Sequence, residues 1–285
     1  MRRIAAVALV DTRGWLLLQE RDELAPVDPD MWSLVGGGVE EGEDDATAAV
    51  RELHEETGLT GVALEPLGEY RYFCEGCAEA HDVALFSALT DLSDADVECH
   101  EGRRIVFVDP ATVHTLPWNR ALAVALPRII GSASYAARFG IGDGRRFGCV
   151  ILVDADGAVL LQERDEHAPI DPDKWGMSGG HLEPGEDPEA GAYRELEEET
   201  GVRLPPGTLS HFAQFRVFHP HTASLDRTDL YVARVDLTDA DIECHEGRRI
   251  VFVPPERALA LDLTMSGTQA VPAFLDSGEY RRMRG

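Results

Sequence analysis

The chain has 285 residues, a hydrophobic fraction of 44% and a formal net charge of −26. That apolar content supports a packed core and excludes wholesale disorder, and the length suits one large domain or two small ones. A surface this acidic repels phosphate backbones and anionic headgroups, which argues against a nucleic-acid or membrane-surface binder; an anionic substrate needs a cation brought with it.

Arg2-Arg3 followed by the apolar run Ile4–Val10 imitates a short secretion signal. Asp11 ends that run early, no small-residue cleavage site follows, and the pattern recurs at Arg145-Arg146 and Phe147–Val153, so both segments are read as β-strands. Arg3–Val10 and Trp15–Gln19 form strands joined by a turn over Asp11–Gly14. A loop carrying Asp28, Asp30 and Trp32 follows. Asp44–Thr57 reads as a helix with Gly58 as its stop. Strands are expected at Glu69–Phe73, Asp82–Leu89 and Arg104–Val108, and a closing helix at Asn119–Ile130. Strands alternating with a few helices predict an α/β fold, a sheet covered by helices. No apolar run reaches the ~20 residues of a membrane-spanning helix. Five cysteines, an odd number in a chain too long to need disulfide staples, place the protein in a reducing cytoplasm.

The chain repeats itself. Residues 2–59 align with 145–202, and 34 of those 58 positions are identical. Farther on, DVECHEGRRIVFV at 96–108 matches DIECHEGRRIVFV at 241–253. A unit of this length is a duplicated domain and not a solenoid repeat. The expected organisation is domain 1 over 1–131, a Gly- and Ser-containing linker over 132–142, and domain 2 over 143–285.

On the helix Asp44–Thr57, Glu52, Glu55 and Glu56 stand at i, i+3 and i+4 and share one face, while Ala46, Ala49, Val50 and Leu53 suit a core. Like charges at this spacing destabilise a helix unless something neutralises them, and oxygen-only ligands suit Mg²⁺ or Mn²⁺. By itself such a face can also be a solvated acidic surface. The wider pattern is more specific: residues 37–59 satisfy G-x5-E-x7-R-E-U-x-E-E-x-G-U at every fixed position, and residues 180–202 do so again. This resembles the Nudix hydrolase box, and the chain is similar to two tandem Nudix domains.

The resemblance implies two α/β/α sandwiches with mixed sheets, and cleavage of nucleoside diphosphate linkages by water with divalent ions. It assigns metal binding to Glu52, Glu55 and Glu56 and to Glu195, Glu198 and Glu199, with Glu52 and Glu195 able to act as general base. It assigns backbone carbonyl ligands to Gly36 and Gly179, and to Arg51 and Arg194 the role of orienting the carboxylates. Glu43 and Glu186 complete the boxes. Members of this family often carry a further acidic ligand on the loop before a late strand. Glu101 and Glu246, in the repeated His-Glu-Gly, are the candidates, with Glu98 and Glu243 as weaker alternatives.

Substrate contacts are expected from Arg21 and Arg164 as phosphate clamps, and from Trp32 and Trp175 as stacking platforms or else loop anchors. Arg103-Arg104 and Arg248-Arg249 read as phosphate clamps or, more commonly in an acidic protein, as salt-bridge partners. Asn119 stands where MutT-type members read a purine. Cys74, Cys77 and His81 supply three zinc-type ligands without the second pair that makes such a signal strong, so this stretch, like His219 and His221 in domain 2, is read as a variable substrate-side loop.

The expected function is a Mg²⁺- or Mn²⁺-dependent pyrophosphohydrolase acting on a nucleotide or nucleotide derivative, with the two halves packed as an internal pseudo-dimer. The rivals are a non-catalytic nucleotide-sensing module, an enzyme with one active domain, and an isomerase of the isopentenyl-diphosphate type.

Overall fold

The computed structural model describes residues 2–74, 77, 79–141, 143–219 and 224–284. The chain divides into two compact units, Met1–Gly142 with Phe218–Leu225 and Asp143–Val217 with Asp226–Gly285.

In the first unit, β1 (Arg2–Val10), β2 (Leu16–Glu20), β3 (Trp32–Gly38), β4 (Glu65–Cys74), β5 (Glu79–Leu89) and β6 (Arg104–Val108) form one sheet in the order β4-β5-β1-β3-β2-β6. β1 runs parallel to β5 and antiparallel to β3, so the sheet is mixed. Ala5–Val10 is buried throughout because both faces of β1 are covered, which is why that stretch is apolar without alternation. Ala5, Val7 and Leu9 pack with Ala48, Ala49 and Leu53 of α1 (Asp45–Thr57). Ala6, Ala8 and Val10 point the other way, toward Leu122, Leu126 and Ile129 of α2 (Arg120–Ile130). The result is the expected α/β/α layering.

The box helix is fixed at both ends. Asp44 accepts the Thr47 N–H at 2.8 Å as N-cap, and Gly58, in the left-handed region at φ 71°, donates its N–H to the His54 carbonyl at 2.8 Å.

The second unit repeats the design. β7 (Asp143–Val153), β8 (Val159–Glu163), β9 (Trp175–Gly176), β10 (Ser178–His181), β11 (Ser210–His219), β12 (Ser224–Arg234) and β13 (Arg249–Val253) form a seven-stranded sheet. β9 pairs β8 and β10 pairs β7, so together they occupy the place of β3. α4 (Pro188–Thr200), capped by Asp187 and Gly201, is the second box helix. α5 (Pro255–Ala258), α6 (Met265–Leu275) and α7 (Gly278–Arg284) complete the unit.

Two expectations change. The segment before each box is strand, so Trp32 and Trp175 begin β3 and β9 and do not sit in a loop. The expected linker 132–142 contains α3 (Ala133–Phe139), capped by Ser132 and Gly140. Tyr135 of α3 is buried and donates its hydroxyl to the Gly14 carbonyl at 2.8 Å, just as Tyr280 of α7 donates to Gly157 at 2.6 Å. α3 therefore belongs to domain 1 as the counterpart of α7. Tyr135→Ala in the full chain is expected to destabilise domain 1 by about 3–5 kcal/mol, the range for emptying a buried aromatic site, and Tyr280→Ala to do the same for domain 2. Urea unfolding of the two variants against wild type checks this; loss below about 1 kcal/mol would return α3 to the status of a tether.

Candidate active site

The three carboxylates of α1 differ sharply in environment. Glu56 is buried, receives the Gly36 N–H at 3.0 Å on one oxygen and the Gln19 side-chain amide at 2.8 Å on the other. Burial pushes its carboxyl up from 4.5 to about 8, with further upward pressure from the charges of Glu101 and Glu52. Glu52 is half-desolvated and is also raised, first by burial, with Arg51 opposing. Glu55 is the exposed member, its side chain 56% accessible. Domain 2 matches: Glu199 receives the Gly179 N–H at 3.1 Å and is raised to about 8, and Glu195 is raised by burial.

One guanidinium organises each cluster. Arg51 donates to Glu43 at 3.0 Å through both Nε and NH2, to Glu52 at 2.8 Å, to Glu55 at 2.9 Å and to the Gly38 carbonyl at 3.0 Å. Arg194 repeats the set with Glu186, Glu195, Glu198 and the His181 carbonyl. These bonds hold Glu43 below its usual range and take Glu186 down to about 2. Glu43 and Glu186 are thus carboxylate anchors that hold the guanidinium, and the guanidinium aims the next two carboxylates.

Glycines allow the strand to meet this face. Gly37 lies so close to the Glu52 carboxylate that a Cβ would approach its oxygens to 2.5 Å, and Gly180 stands against Glu195 in the same way. Gly36, at φ 144°, has the Ala5 carbonyl oxygen at 2.2 Å from any Cβ it might carry, so only glycine fits there.

The His-Glu-Gly loop is tied to the end of the box helix. The His100 backbone N–H donates to the Glu56 carbonyl at 2.9 Å, and its ring bridges the Glu55 carbonyl at 2.9 Å and the Glu98 carboxylate at 2.7 Å. Glu98 is therefore engaged with His100, while Glu101 is close enough for its charge to raise Glu52 and Glu56. His245, Glu243 and Glu246 stand in the same relations to α4. Gln19 was not singled out from the sequence. It is buried and links Glu56 to the Glu101 carbonyl, at 2.8 and 3.3 Å, and Gln162 reaches the Glu246 carbonyl at 3.0 Å. The only signal available was its place in the repeated LLQE run.

A cavity of about 530 Å³ opens beside the first box. Gly36–Gly38 form one wall, and Arg2, Arg21, Tyr72 and Asn119 contribute others. Arg21 also holds the Val27 carbonyl at 3.0 Å, and Arg164 the Ile170 carbonyl at 3.1 Å. Asn119 caps α2 through its Oδ1 to the Leu122 N–H at 3.0 Å. Of the two readings of the tryptophans, burial favours the anchor over the stacking platform: Trp32 is 3% and Trp175 8% exposed, each in its core, with Arg104 and Arg249 over their rings. They anchor strands and offer no platform to a base. Arg103 pairs with Glu23 and Asp30, and Arg248 with Glu166 and Asp173, so both are salt-bridge residues. His221 lies outside the described residues.

The NUDIX domain model matches residues 1–128 and again 142–274. The chain belongs to the NUDIX family. Among relatives of this tandem NUDIX protein, the CTP pyrophosphohydrolase of Escherichia coli is 27% identical over 127 residues, 44% of this chain and 87% of that protein. The m7GpppN-mRNA hydrolase NUDT17 of Bos taurus is 46% identical over 61 residues, 21% of this chain. The match spans only 20% of NUDT17's own length. Among solved structures, the MutT protein of Methanosarcina mazei superposes with a TM-score of 0.38 at 21% identity, over 47% of this chain and 96% of that one.

The donor set fits a divalent cation. Desolvated carboxylates that repel one another, one of them buried enough to be pushed to about 8, are destabilised as anions and relieved by a hard cation on their oxygens. This has a pH signature. In the unfolded chain Glu56 and Glu199 titrate near 4.5, while in the metal-free fold they hold their protons to about 8. Their contribution to stability is present below 4.5 and is lost as pH rises through about 8. A divalent cation would bind the ionised form, so any gain in Tm on adding Mg²⁺ should grow from about pH 6 to about pH 9. Scanning calorimetry with and without Mg²⁺ checks this; a gain independent of pH would separate these carboxyls from the metal.

Proposed function

We propose that the chain is a divalent-metal-dependent NUDIX pyrophosphohydrolase acting on a nucleoside di- or triphosphate or a related nucleotide derivative, with a complete site in each domain. The observation that carries this reading is the cluster in which Arg51 orients Glu52 and Glu55 beside the buried Glu56, repeated by Arg194 with Glu195, Glu198 and Glu199. A module that only senses nucleotides has no need to keep a half-desolvated, raised carboxyl next to an anchored guanidinium in both copies. The relationship to the CTP pyrophosphohydrolase of Escherichia coli over most of that protein's length supports the same chemistry.

In this mechanism, Glu52, Glu55, Glu56 and Glu101, with the Gly36 carbonyl, would hold the cations in domain 1, and Glu195, Glu198, Glu199, Glu246 and the Gly179 carbonyl would hold them in domain 2. Bound Mg²⁺ or Mn²⁺ supplies charge neutralisation of the diphosphate and acidification of water. Glu52 and Glu195 take the proton of the attacking water, a task suited to a carboxyl raised above its usual range. Arg51 and Arg194 touch no substrate; they keep the base and its neighbour aimed. Arg21 and Arg2 offer the positive charge in the cavity wall of this acidic protein, and Asn119 presents its amide to the base. Free cysteines among the described residues support a reducing compartment, and the cytoplasm is the place of action in this reading.

Glu52→Gln and Glu195→Gln should each cut turnover in their own domain by on the order of 10²-fold or more, and the double variant should retain almost nothing. A ³¹P NMR assay over a nucleotide panel with Mg²⁺ reads this. Near-normal turnover in the double variant, or activity surviving exhaustive chelation, contradicts the reading; loss from one single variant alone identifies one active domain.

A further inference from the structure

The sequence places Cys74, Cys77 and His81 near one another without a second ligand pair, and the fold does more with them than that spacing suggests. Cys74 ends β4 and His81 lies on β5, where it pairs with Tyr72. The three donor atoms lie within 4.8 Å of one another. Cys77 Sγ is 2.9 Å from His81 Nε2. Cys74 is 1% and His81 6% exposed, and His81 Nδ1 is buried without a hydrogen-bond partner among the described residues. Both cysteines are free thiols. The ring nitrogen that faces Cys77 is Nε2, so Nε2 is the donor His81 brings to the cluster.

We propose that Cys74, Cys77 and His81 form a site for a thiophilic divalent cation, Zn²⁺ in the first instance, on the wall of the domain 1 cavity. In a tetrahedral zinc site with Zn–S near 2.3 Å, two thiolates stand about 3.8 Å apart, so the observed cluster closes onto a cation with side-chain movement of the order of 1 Å. The donors are two soft sulfurs and an imidazole, a set that selects zinc over magnesium, whereas the box carboxylates have the opposite preference. The two metals therefore occupy separate places. Three protein ligands leave a fourth position open. Cys77 and His81 both line the 530 Å³ cavity, so that position faces the space where a small molecule enters and can be held by water or by a donor atom of a bound ligand.

The site belongs to domain 1 alone. At the matching positions of domain 2 the sequence has His219, Thr222 and Asp226, and Asp226 accepts the Arg145 N–H at 2.7 Å. One equivalent per chain is the expected stoichiometry. The site stands whether or not the hydrolase reading does, because its readout involves no turnover.

The test uses the full chain, stripped of metal and kept reduced, titrated with Co²⁺ and then Zn²⁺. Co²⁺ at carboxylates gives no thiolate charge-transfer absorption, so the near-ultraviolet band reports only cysteine ligation. Wild type should develop the band to one equivalent and lose it to Zn²⁺. Cys77→Ser, a change at an exposed residue, should weaken Co²⁺ uptake at this site by at least about 100-fold, beyond what loss of an outer-shell partner costs. In a second measurement on wild type alone, one equivalent of Zn²⁺ should shield Cys77 from a maleimide while the other exposed thiols, Cys99 and Cys244, stay reactive. Absence of the band in reduced wild type, an unchanged band in Cys77→Ser, or no thiol shielding overturns the proposal.

Discussion

Everything at the two box helices depends on one guanidinium each. A glutamate at i+3 or i+4 from another gains nothing from that spacing and is repelled by it. Arg51 removes the problem by donating two N–H groups to the Glu43 carboxylate, which anchors it, and spreading its remaining donors over Glu52, Glu55 and the Gly38 carbonyl. The contrast with Arg103 is instructive. Arg103 sits 40% exposed against Glu23 and Asp30, and water screens such surface pairs so that they contribute little. Arg51 is 23% exposed and ties the helix to the strand that carries Gly36 and Gly37, so its loss would free the carboxylates and loosen the strand-to-helix crossing together.

Around that tie, the site is assembled from elements that each have another structural reason to exist. β3 brings the Gly36 N–H to Glu56, and its glycines admit the carboxylates of α1. The loop before β6 is clamped to the helix end by His100, which brings Glu101 alongside. Buried Gln19 then connects helix and loop. The carboxylates are consequently preorganised before any cation arrives, and the cost of that arrangement is stored in the raised carboxyls of Glu56 and Glu199.

The box helices were legible in the sequence from the repeated box and the Gly stop. The apolar face was only partly right: Ala49 and Leu53 are buried as expected, Ala46 and Val50 are exposed, and Ala48 takes the core position because the helix is rotated to bury Glu56 with Leu53. The strand before each box was not, because SLVGGG offers three glycines where a strand is normally β-branched; the glycines are present for close approach and not for a turn. Trp32 left two readings open, and burial decides between them, which no spacing can show. α3 was hidden because its Ser-, Ala- and Gly-containing sequence imitates a linker, and the matching roles of Tyr135 and Tyr280, outside the two aligned segments, emerge only from their hydrogen bonds. Gln19 was invisible as a single polar residue in a strand until its carboxylate partner was known. The cysteine–histidine cluster needed the β4–β5 pairing to bring its members together.

The most direct test of the central claim, that each box is a carboxylate site built for a divalent cation, is an electron paramagnetic resonance titration of the full chain with Mn²⁺ near pH 8. Bound Mn²⁺ loses the sharp signal of the free ion, so tight sites are counted without any substrate. Wild type should remove Mn²⁺ at both boxes. Glu56→Gln with Glu199→Gln, which keeps the shape and removes the charge, should abolish tight uptake, weakening it by about 100-fold or more. Unchanged Mn²⁺ binding by that folded double variant would contradict the account.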